Sequence, residues 1–276
     1  MREAARRVVT LLTDFGLSDP FVGIMKGVIL GINPHVALVD LCHSGKAYDV
    51  AEAALLLITS YRYFPAGTIH IAVVDPGVGG PRRPILVTCD DHLFIGPDNG
   101  LLALLAAKAG STVRVITATG YFLQPVSATF HGRDIFAPIA GHLSLGAQPD
   151  ECGELIDDYV RLVIPRPVQS GISSIRGEIL YIDRFGNLMT NIARLDLERL
   201  ETVDSPAAYV VSVAGLEIPV VACYGQVAPA ASGAIIGSAE YLEIFVNQGD
   251  ASRLLGIGRG CEVVVGRPKR RNFDNP

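Results

Sequence analysis

Hydrophobic positions in the first 165 residues fall into short unbroken runs separated by stretches with helical spacing. Val8–Leu12 is an apolar run ending at Thr13-Asp14-Phe15-Gly16, and Ala37–Leu41, Thr68–Val74, Ile85–Cys89, Leu93–Ile95 and Val113–Ile116 read as strands in the same way. Between them a helix is predicted over Phe21–Ile32, stopped by Asn33-Pro34. Asp49-Val50-Ala51-Glu52 has the spacing of a capping box and opens a helix running toward Tyr63, ended by Pro65-Ala66-Gly67. Further helices are predicted over Gly100–Ala109 and Asp134–Leu145. Continuous apolar strands alternating with helices imply a mostly parallel sheet covered on both faces.

The pattern changes after Pro165-Arg166-Pro167, which reads as a linker. Short strands follow at Gly177–Ile182, Leu188–Ile192, Tyr209–Val213, Ile218–Ala222, Tyr241–Val246 and Glu262–Val265, punctuated by Gly, Pro, Asn and Asp with little helical periodicity. The expected organisation is an α/β N-terminal domain with a mostly parallel central sheet over 1–165. A smaller all-β, barrel-like C-terminal domain over 172–266 and a basic, disordered tail over 267–276 complete it.

Composition narrows the class. The 276 residues are 49% hydrophobic and 18% charged, which speaks for a buried core. A net charge of −5 argues against a nucleic-acid partner, and the basic clusters Arg2/Arg6/Arg7 and Lys269-Arg270-Arg271 read as solvated ends. Five dispersed cysteines (Cys42, Cys89, Cys152, Cys223, Cys261) show no C-x-x-C spacing and read as reduced, buried thiols. The apolar runs Ala53–Ile58 and Leu101–Ala107 are too short to cross a bilayer, and the start leads into a strand rather than a secretory segment. The expectation is a cytoplasmic protein with no membrane partner.

Ligands of open α/β sheets bind beyond the carboxyl ends of the strands. Asp14 follows the first strand, Asp75 a middle one, and Gly96-Pro97-Asp98-Asn99-Gly100 another. Asp14 reads equally as a turn cap or as a carboxylate accepting two hydrogen bonds from a ribose diol. Asp98-Asn99-Gly100, taken alone, reads as a tight turn. Val74-Asp75-Pro76-Gly77-Val78-Gly79-Gly80-Pro81-Arg82-Arg83 places an acid and two guanidinium groups around a glycine loop, and Phe130-His131-Gly132-Arg133-Asp134 brings an imidazole near a helix start. Acid, guanidinium and imidazole together suit the activation of water, although a lone histidine is more often a surface or satisfied core group. The same caution applies to His43, while His35, His70, His92 and His142 show only loop or core placement.

Other chemistries fit less well. The glycine loop lacks the Walker Gly-Lys-Ser/Thr and there is no G-x-G-x-x-G opening a helix, so phosphate binding is weakly supported. Asp14, Asp75, Asp98, His131 and Asp134 are the ligands of a conceivable carboxylate-rich metal centre, but Arg82-Arg83 oppose a divalent cation and the expectation is no metal. A serine hydrolase lacks its G-x-S-x-G elbow.

Five motifs in order resemble one family: Thr13-Asp14-Phe15-Gly16, Asp75-Pro76-Gly77-Val78-Gly79 with Arg82-Arg83, Gly96-Pro97-Asp98-Asn99-Gly100-Leu101-Leu102, Thr129-Phe130-His131-Gly132-Arg133-Asp134 and Asp183-Arg184-Phe185-Gly186-Asn187-Leu188-Met189-Thr190-Asn191. The chain is similar, from about Val8 to Gly266, to the S-adenosyl-L-methionine (SAM) hydroxide adenosyltransferases, also called SAM hydrolases and related to the SAM-dependent fluorinase and chlorinase. That resemblance implies conversion of SAM and water to adenosine and L-methionine, with SAM as substrate and no cofactor. It implies a homotrimer whose substrate lies between the N-terminal domain of one subunit and the C-terminal domain of its neighbour.

By position it implies Asp75, Arg82 and His131 as the catalytic set and Asp14 as the ribose carboxylate. Asp183 falls where the methionine ammonium is held and Asn187 where the adenine edge is read. Phe185 and Tyr224 fall at aromatic positions packing on adenine, Tyr48 at an aromatic wall, and Ser238 at the methionine end. Val246 and Gln248 fall where backbone approaches adenine. In the related halogenases the positions of Asp75 and His131 carry tyrosines, and this chain has the hydrolase set. It departs from the family wording at Cys42-His43-Ser44, Ala47 and Gly237-Ser238-Ala239-Glu240. The alternatives are a SAM-dependent, chlorinase-like halogenase and a non-catalytic adenosine- or SAM-binding protein.

Overall fold

The computed structural model describes residues 7–171, 174–200 and 209–266. Arg2, Arg6, the Lys269-Arg270-Arg271 cluster and the tail over 267–276 lie outside the described residues. The chain forms two compact units, Met1–Val163 and Ile164–Pro276.

The first unit contains β1 (Val8–Thr13), α1 (Phe21–Ile32), β2 (Ala37–Cys42), α2 (Val50–Ser60), β3 (Ile69–Val73), β4 (Pro84–Cys89), β5 (His92–Pro97), α3 (Ala103–Ala106), β6 (Thr112–Val115) and α4 (Ala137–Leu145). Its sheet runs in the order β2-β1-β3-β5-β4-β6. β2, β1, β3 and β5 pair in parallel, whereas β4 is antiparallel to both β5 and β6. The sheet is thus mixed and mostly parallel.

Alternating side chains face two cores, as the pleat requires. Val9, Leu11, Ile69, Ile71 and Leu86 pack with Met25, Ile29, Ile139 and Leu143 of α1 and α4. Leu12, Ala72, Ile85, Val87 and Phe94 pack with Ala53, Leu57 and Leu105 of α2 and α3.

Three details depart from the expected pattern. β4 and β5 form a hairpin rather than a βα step, because Asp90 and Asp91 both take positive φ (48° and 60°) and turn the chain without a glycine. The helix expected over Gly100–Ala109 shrinks to α3: Gly100 sits at φ 100°, outside helical geometry, and Ala107 caps the helix at its carboxyl end. The helix expected from Asp134 begins as a π-turn over Gly132–Phe136 and becomes α-helical only from Ala137. At α2 the Asp49 carboxylate caps Glu52 N–H at 3.0 Å, while Glu52 reaches Lys46 N–H at 3.0 Å.

The second unit contains β7 (Val168–Gly171), β8 (Ser174–Ile182), β9 (Leu188–Ala193), α5 (Arg194–Glu198), β10 (Val210–Val213), β11 (Leu216–Pro219), β12 (Ser232–Ile236), β13 (Tyr241–Val246), α6 (Ala251–Leu255) and β14 (Glu262–Gly266). The strands are antiparallel in the order β11-β10-β14-β8-β9-β13-β12, with β7 beside β8. Val221 N–H donates to Ala234 O at 2.8 Å and ties the end of β11 to β12, so the sheet curls into a nearly closed barrel. Among the described residues its interior is one apolar cluster including Ile179, Leu188, Val211, Ile244 and Val263.

β11 spans Leu216–Pro219, starting and ending earlier than the expected Ile218–Ala222 strand, because beyond it the chain leaves β10 and Val221 N–H donates to Ala234 O of β12. β7, β12 and the two short helices had no clear signal. Among the described residues no helix is long and apolar enough to cross a membrane. Cys89 and Cys152 are buried, Cys42 and Cys261 are half-buried, and Cys223 is exposed just before a 3₁₀ turn at Tyr224–Gln226. The expectation of uniformly buried thiols is corrected on that last point.

Candidate active site

Asp75 emerges at the carboxyl end of β3, where the chain leaves the centre of the sheet. The 75–80 loop turns tightly through Gly80 N–H to Gly77 O (3.0 Å). At Gly79, φ is +76° and a Cβ would lie 2.1 Å from Ala128 O. Only glycine permits that approach, and it docks the loop carrying Asp75 onto the segment that leads into His131.

Arg82 links the two. Its Nε donates to both Asp75 carboxylate oxygens at 3.1 Å, its Nη2 donates to Asp75 Oδ2, and Nη2 also lies 2.7 Å from His131 Nδ1. The Asp75 and Arg82 side chains are only 4% and 9% exposed. A guanidinium only donates, so His131 Nδ1 accepts and the ring proton sits on Nε2. Burial, and then the Arg82 charge, hold the imidazole below its ordinary value, against the opposing pull of Asp75 and Asp134. Arg82 Nη1 is buried with no hydrogen-bond partner among the described residues.

Neighbouring motif residues build the frame. Arg83 donates to Asp98 Oδ2 (3.0 and 2.7 Å) and to Asp158 (2.8 Å), and Asp98 Oδ1 accepts from Val160 N–H at 2.8 Å. Asn99 Nδ2 holds Val74 O at 2.8 Å, directly before Asp75. Asp134 is fully buried, receives Arg133 Nε at 2.6 Å and caps Ser127 N–H at 2.8 Å. Asp98 and Asp134, two of the conceivable metal ligands, are therefore engaged by arginines. Among the described residues no group of three or more His, Cys, Asp or Glu is arranged to hold a metal ion.

Asp14 lies at the carboxyl end of β1, where its Oδ2 accepts the Tyr48 N–H at 2.8 Å. Tyr48 sits at φ 65° and is 72% exposed as a residue.

In the barrel unit the 183–187 turn is closed by its own side chains. Asp183 Oδ1 accepts Phe185 N–H (2.8 Å) and Asn187 N–H (2.9 Å), and its Oδ2 accepts Asn187 Nδ2 at 3.0 Å. Phe185 is 73% exposed at the tip. Tyr224 packs edge-on against Phe245 at 4.6 Å and donates to Glu243 Oε1 at 2.8 Å. Burial and that hydrogen bond push the phenol up to about 12.

Glu243 escaped the sequence reading. Burial raises its carboxyl, the Tyr224 bond works against that, and nearby Asp183 raises it further. A Cβ at Gly237, beside Ser238, would lie 3.1 Å from Glu243 Oε2. Its one signal was a glutamate inside the apolar strand Tyr241–Val246. Val246 closes β13, with its carbonyl accepting Gly249 N–H at 3.0 Å, and Gln248 takes φ 58° in the turn between. The structure thus joins Asp75 to Arg82 and His131, Asp14 to Tyr48, and Asp183 to Asn187, each pairing within its own unit.

Comparison with known proteins places this geometry in context. A family model described as the SAM hydroxide adenosyltransferase N-terminal domain matches residues 9–153, and one for the C-terminal domain matches residues 177–264. A Thermus thermophilus protein named (R)-S-adenosyl-L-methionine hydrolase is 36% identical over 267 residues, covering 93% of this chain and 98% of the relative. A fluorinase from an Actinoplanes species is 31% identical over 70% of this chain and 74% of its own. The crystal structure of an uncharacterized conserved protein from Thermotoga maritima superposes with a TM-score of 0.88 at 35% identity, covering 94% of this chain and all of the other.

Proposed function

The chain belongs to the SAM hydroxide adenosyltransferase family, and from that premise we propose that it hydrolyses SAM to adenosine and L-methionine by attack of an activated water at C5′ of the ribose. The observation that carries the chemistry is the hydrogen-bonded set of Asp75, Arg82 and His131 on loops at one end of the sheet. The sulfonium makes C5′ electrophilic, and methionine departs as a neutral thioether, so the leaving group needs no acid. What remains is to make water nucleophilic and hold it in line behind C5′.

His131 faces that water as a donor. Its Nδ1 lone pair is occupied by Arg82 Nη2, so its Nε2–H is left to donate to the water oxygen. The proton therefore passes to the Asp75 carboxylate. The oxygen–C5′ bond forms as the C5′–sulfur bond breaks, its electron pair leaves on sulfur, and Arg82 stabilises the developing hydroxide character.

Asp14 takes the ribose diol. On the barrel unit Asp183 takes the methionine ammonium, Asn187 the adenine edge, Phe185 and Tyr224 its faces, and Ser238 the methionine end. Tyr48 supplies the aromatic wall, and the backbone at Val246 and Gln248 approaches adenine. SAM is the substrate and the reaction uses no cofactor. The reading extends to a cytoplasmic homotrimer, which light scattering after size exclusion tests directly, and to the R configuration at sulfur, as in the relative's name.

Incubation with SAM followed by chromatography tests the function: adenosine and methionine are expected in equal amounts. The fluorinase relative favours one competing reading, halogenation. The Asp75 carboxylate repels halide, so excess chloride is expected to yield adenosine and no 5′-chloro-5′-deoxyadenosine. Separated sulfonium epimers, assayed singly, read the configuration.

A further inference from the structure

A second chain of buried polar groups lies at the carboxyl end of β1, outside the catalytic set. Thr13 and His43 are 2% and 4% exposed. Thr13 Oγ1 lies 2.8 Å from His43 Nδ1, His43 Nε2 lies 2.9 Å from Asp40 Oδ1, and Lys26 Nζ donates to Asp40 Oδ2 at 2.7 Å.

The polarity of this chain is fixed from one end. Lysine only donates and an ionised carboxylate only accepts. His43 therefore donates from Nε2; in the neutral ring its Nδ1 then accepts and the Thr13 hydroxyl donates. The Thr13 oxygen is then free to accept Phe15 N–H at 3.2 Å. The His43 carbonyl also accepts Gly16 N–H at 2.7 Å. The 13–16 loop is thus fastened on both sides of Asp14 to a single residue, and Asp14 Oδ2 is aimed by the Tyr48 N–H.

We propose that the Thr13–His43–Asp40 chain, anchored by Lys26, is a positioning device for Asp14, holding its carboxylate in the plane needed to receive both hydroxyls of a nucleoside cis-diol. This rests on the reading of the ligand as a nucleoside. A carboxylate that must accept two donors at once tolerates little displacement, and a buried chain with one allowed proton order supplies that rigidity. Valine at position 13 keeps the shape but leaves His43 Nδ1 and Phe15 N–H unsatisfied.

The test is calorimetric titration of the full chain with adenosine and with 2′,3′-dideoxyadenosine, which lacks the diol. The wild type is expected to prefer adenosine. Thr13→Val is expected to weaken adenosine binding about tenfold while leaving the dideoxy analogue within about twofold, and Thr13→Ser to restore the preference. Asp40→Ala cuts the chain at its outer end, where the side chain is 40% exposed. It is expected to give the same signature even if the valine variant fails to fold. Variants that keep the full preference, or that weaken both ligands equally, overturn the positioning role alone. A wild type that binds both ligands alike overturns the assignment of Asp14 to the diol and the proposal with it.

Discussion

Arg82 Nη2 lies 2.7 Å from His131 Nδ1, so the imidazole meets the guanidinium with its lone pair. Protonation would turn that lone pair into a second N–H facing a donor, and the contact holds only while the ring is neutral. Burial and then the Arg82 charge favour the neutral ring, lowering it from 6.5. Activity is therefore expected to be lost as pH falls through the shifted value. We expect kcat/KM to rise along an acid limb with its midpoint below about 6.5 and to be flat above it. A pH–rate profile checks this, and a midpoint above that value contradicts it.

Adjacent arginines have separate tasks. Arg82→Ala is expected to lower kcat by about 10²–10⁴-fold, and Arg82→Lys to restore little, since one ammonium cannot bridge Asp75 and His131 as the planar fork does. Arg83→Ala removes the cation from Asp98, whose side chain is 4% exposed. The expected cost is about 1–3 kcal/mol of stability, with kcat reduced less than about tenfold. Steady-state kinetics and denaturant melts on both variants separate the roles.

Gly79 joins the loops that carry Asp75 and His131 through space that a side chain would occupy. Gly79→Ala forces its Cβ against Ala128 O and strains a positive φ. A loss of about 2–4 kcal/mol in stability and of at least about 10²-fold in kcat is expected. Gly67, also at positive φ but with nothing within 4 Å of its Cβ position, is the control: alanine there is expected to lower stability by about 1 kcal/mol and leave kcat unchanged. Thermal melts and initial rates measure both.

At the other end of the sheet His70 is fully buried, stacks on Phe94 at 4.8 Å and lies 2.7 Å from Thr10 Oγ1 and 3.2 Å from His92 Nδ1. Burial, and then His92, lower its pKa to about 3. The unfolded chain therefore binds a proton on His70 that the folded chain refuses between about 6.5 and 3. It costs nothing above 6.5, and its destabilising effect grows as pH falls, reaching roughly 3–5 kcal/mol near the lower limit. Denaturant midpoints at several pH values should show a steeper acid loss for the wild type than for His70→Gln.

Much of the α/β unit was legible because its strands are apolar runs and its helices carry strong stops. α1 spans Phe21–Ile32 as its spacing predicts. Strand direction was not legible: β4 is as apolar as a parallel strand, and the Asp90-Asp91 turn lacks the glycine that normally marks a hairpin. β12 was hidden by Ser232-Gly233-Ala234. Its Gly233 exists because a Cβ there would lie 2.6 Å from the Phe245 ring.

In the site, the residue types on the loops were readable, but their proton order was not. That His131 offers a lone pair to Arg82 follows only from the 2.7 Å contact. The Thr13–His43–Asp40 chain spans two strands and a loop, which no local pattern records.

Turnover of SAM in ¹⁸O-labelled water, with mass spectrometry of the nucleoside product, reads the origin of the new bond at C5′. A set of Asp75, Arg82 and His131 that activates solvent delivers adenosine with one labelled 5′-oxygen and intact L-methionine. Unlabelled adenosine, or a nucleoside carrying halide or sulfur at C5′, means that these three residues do something else.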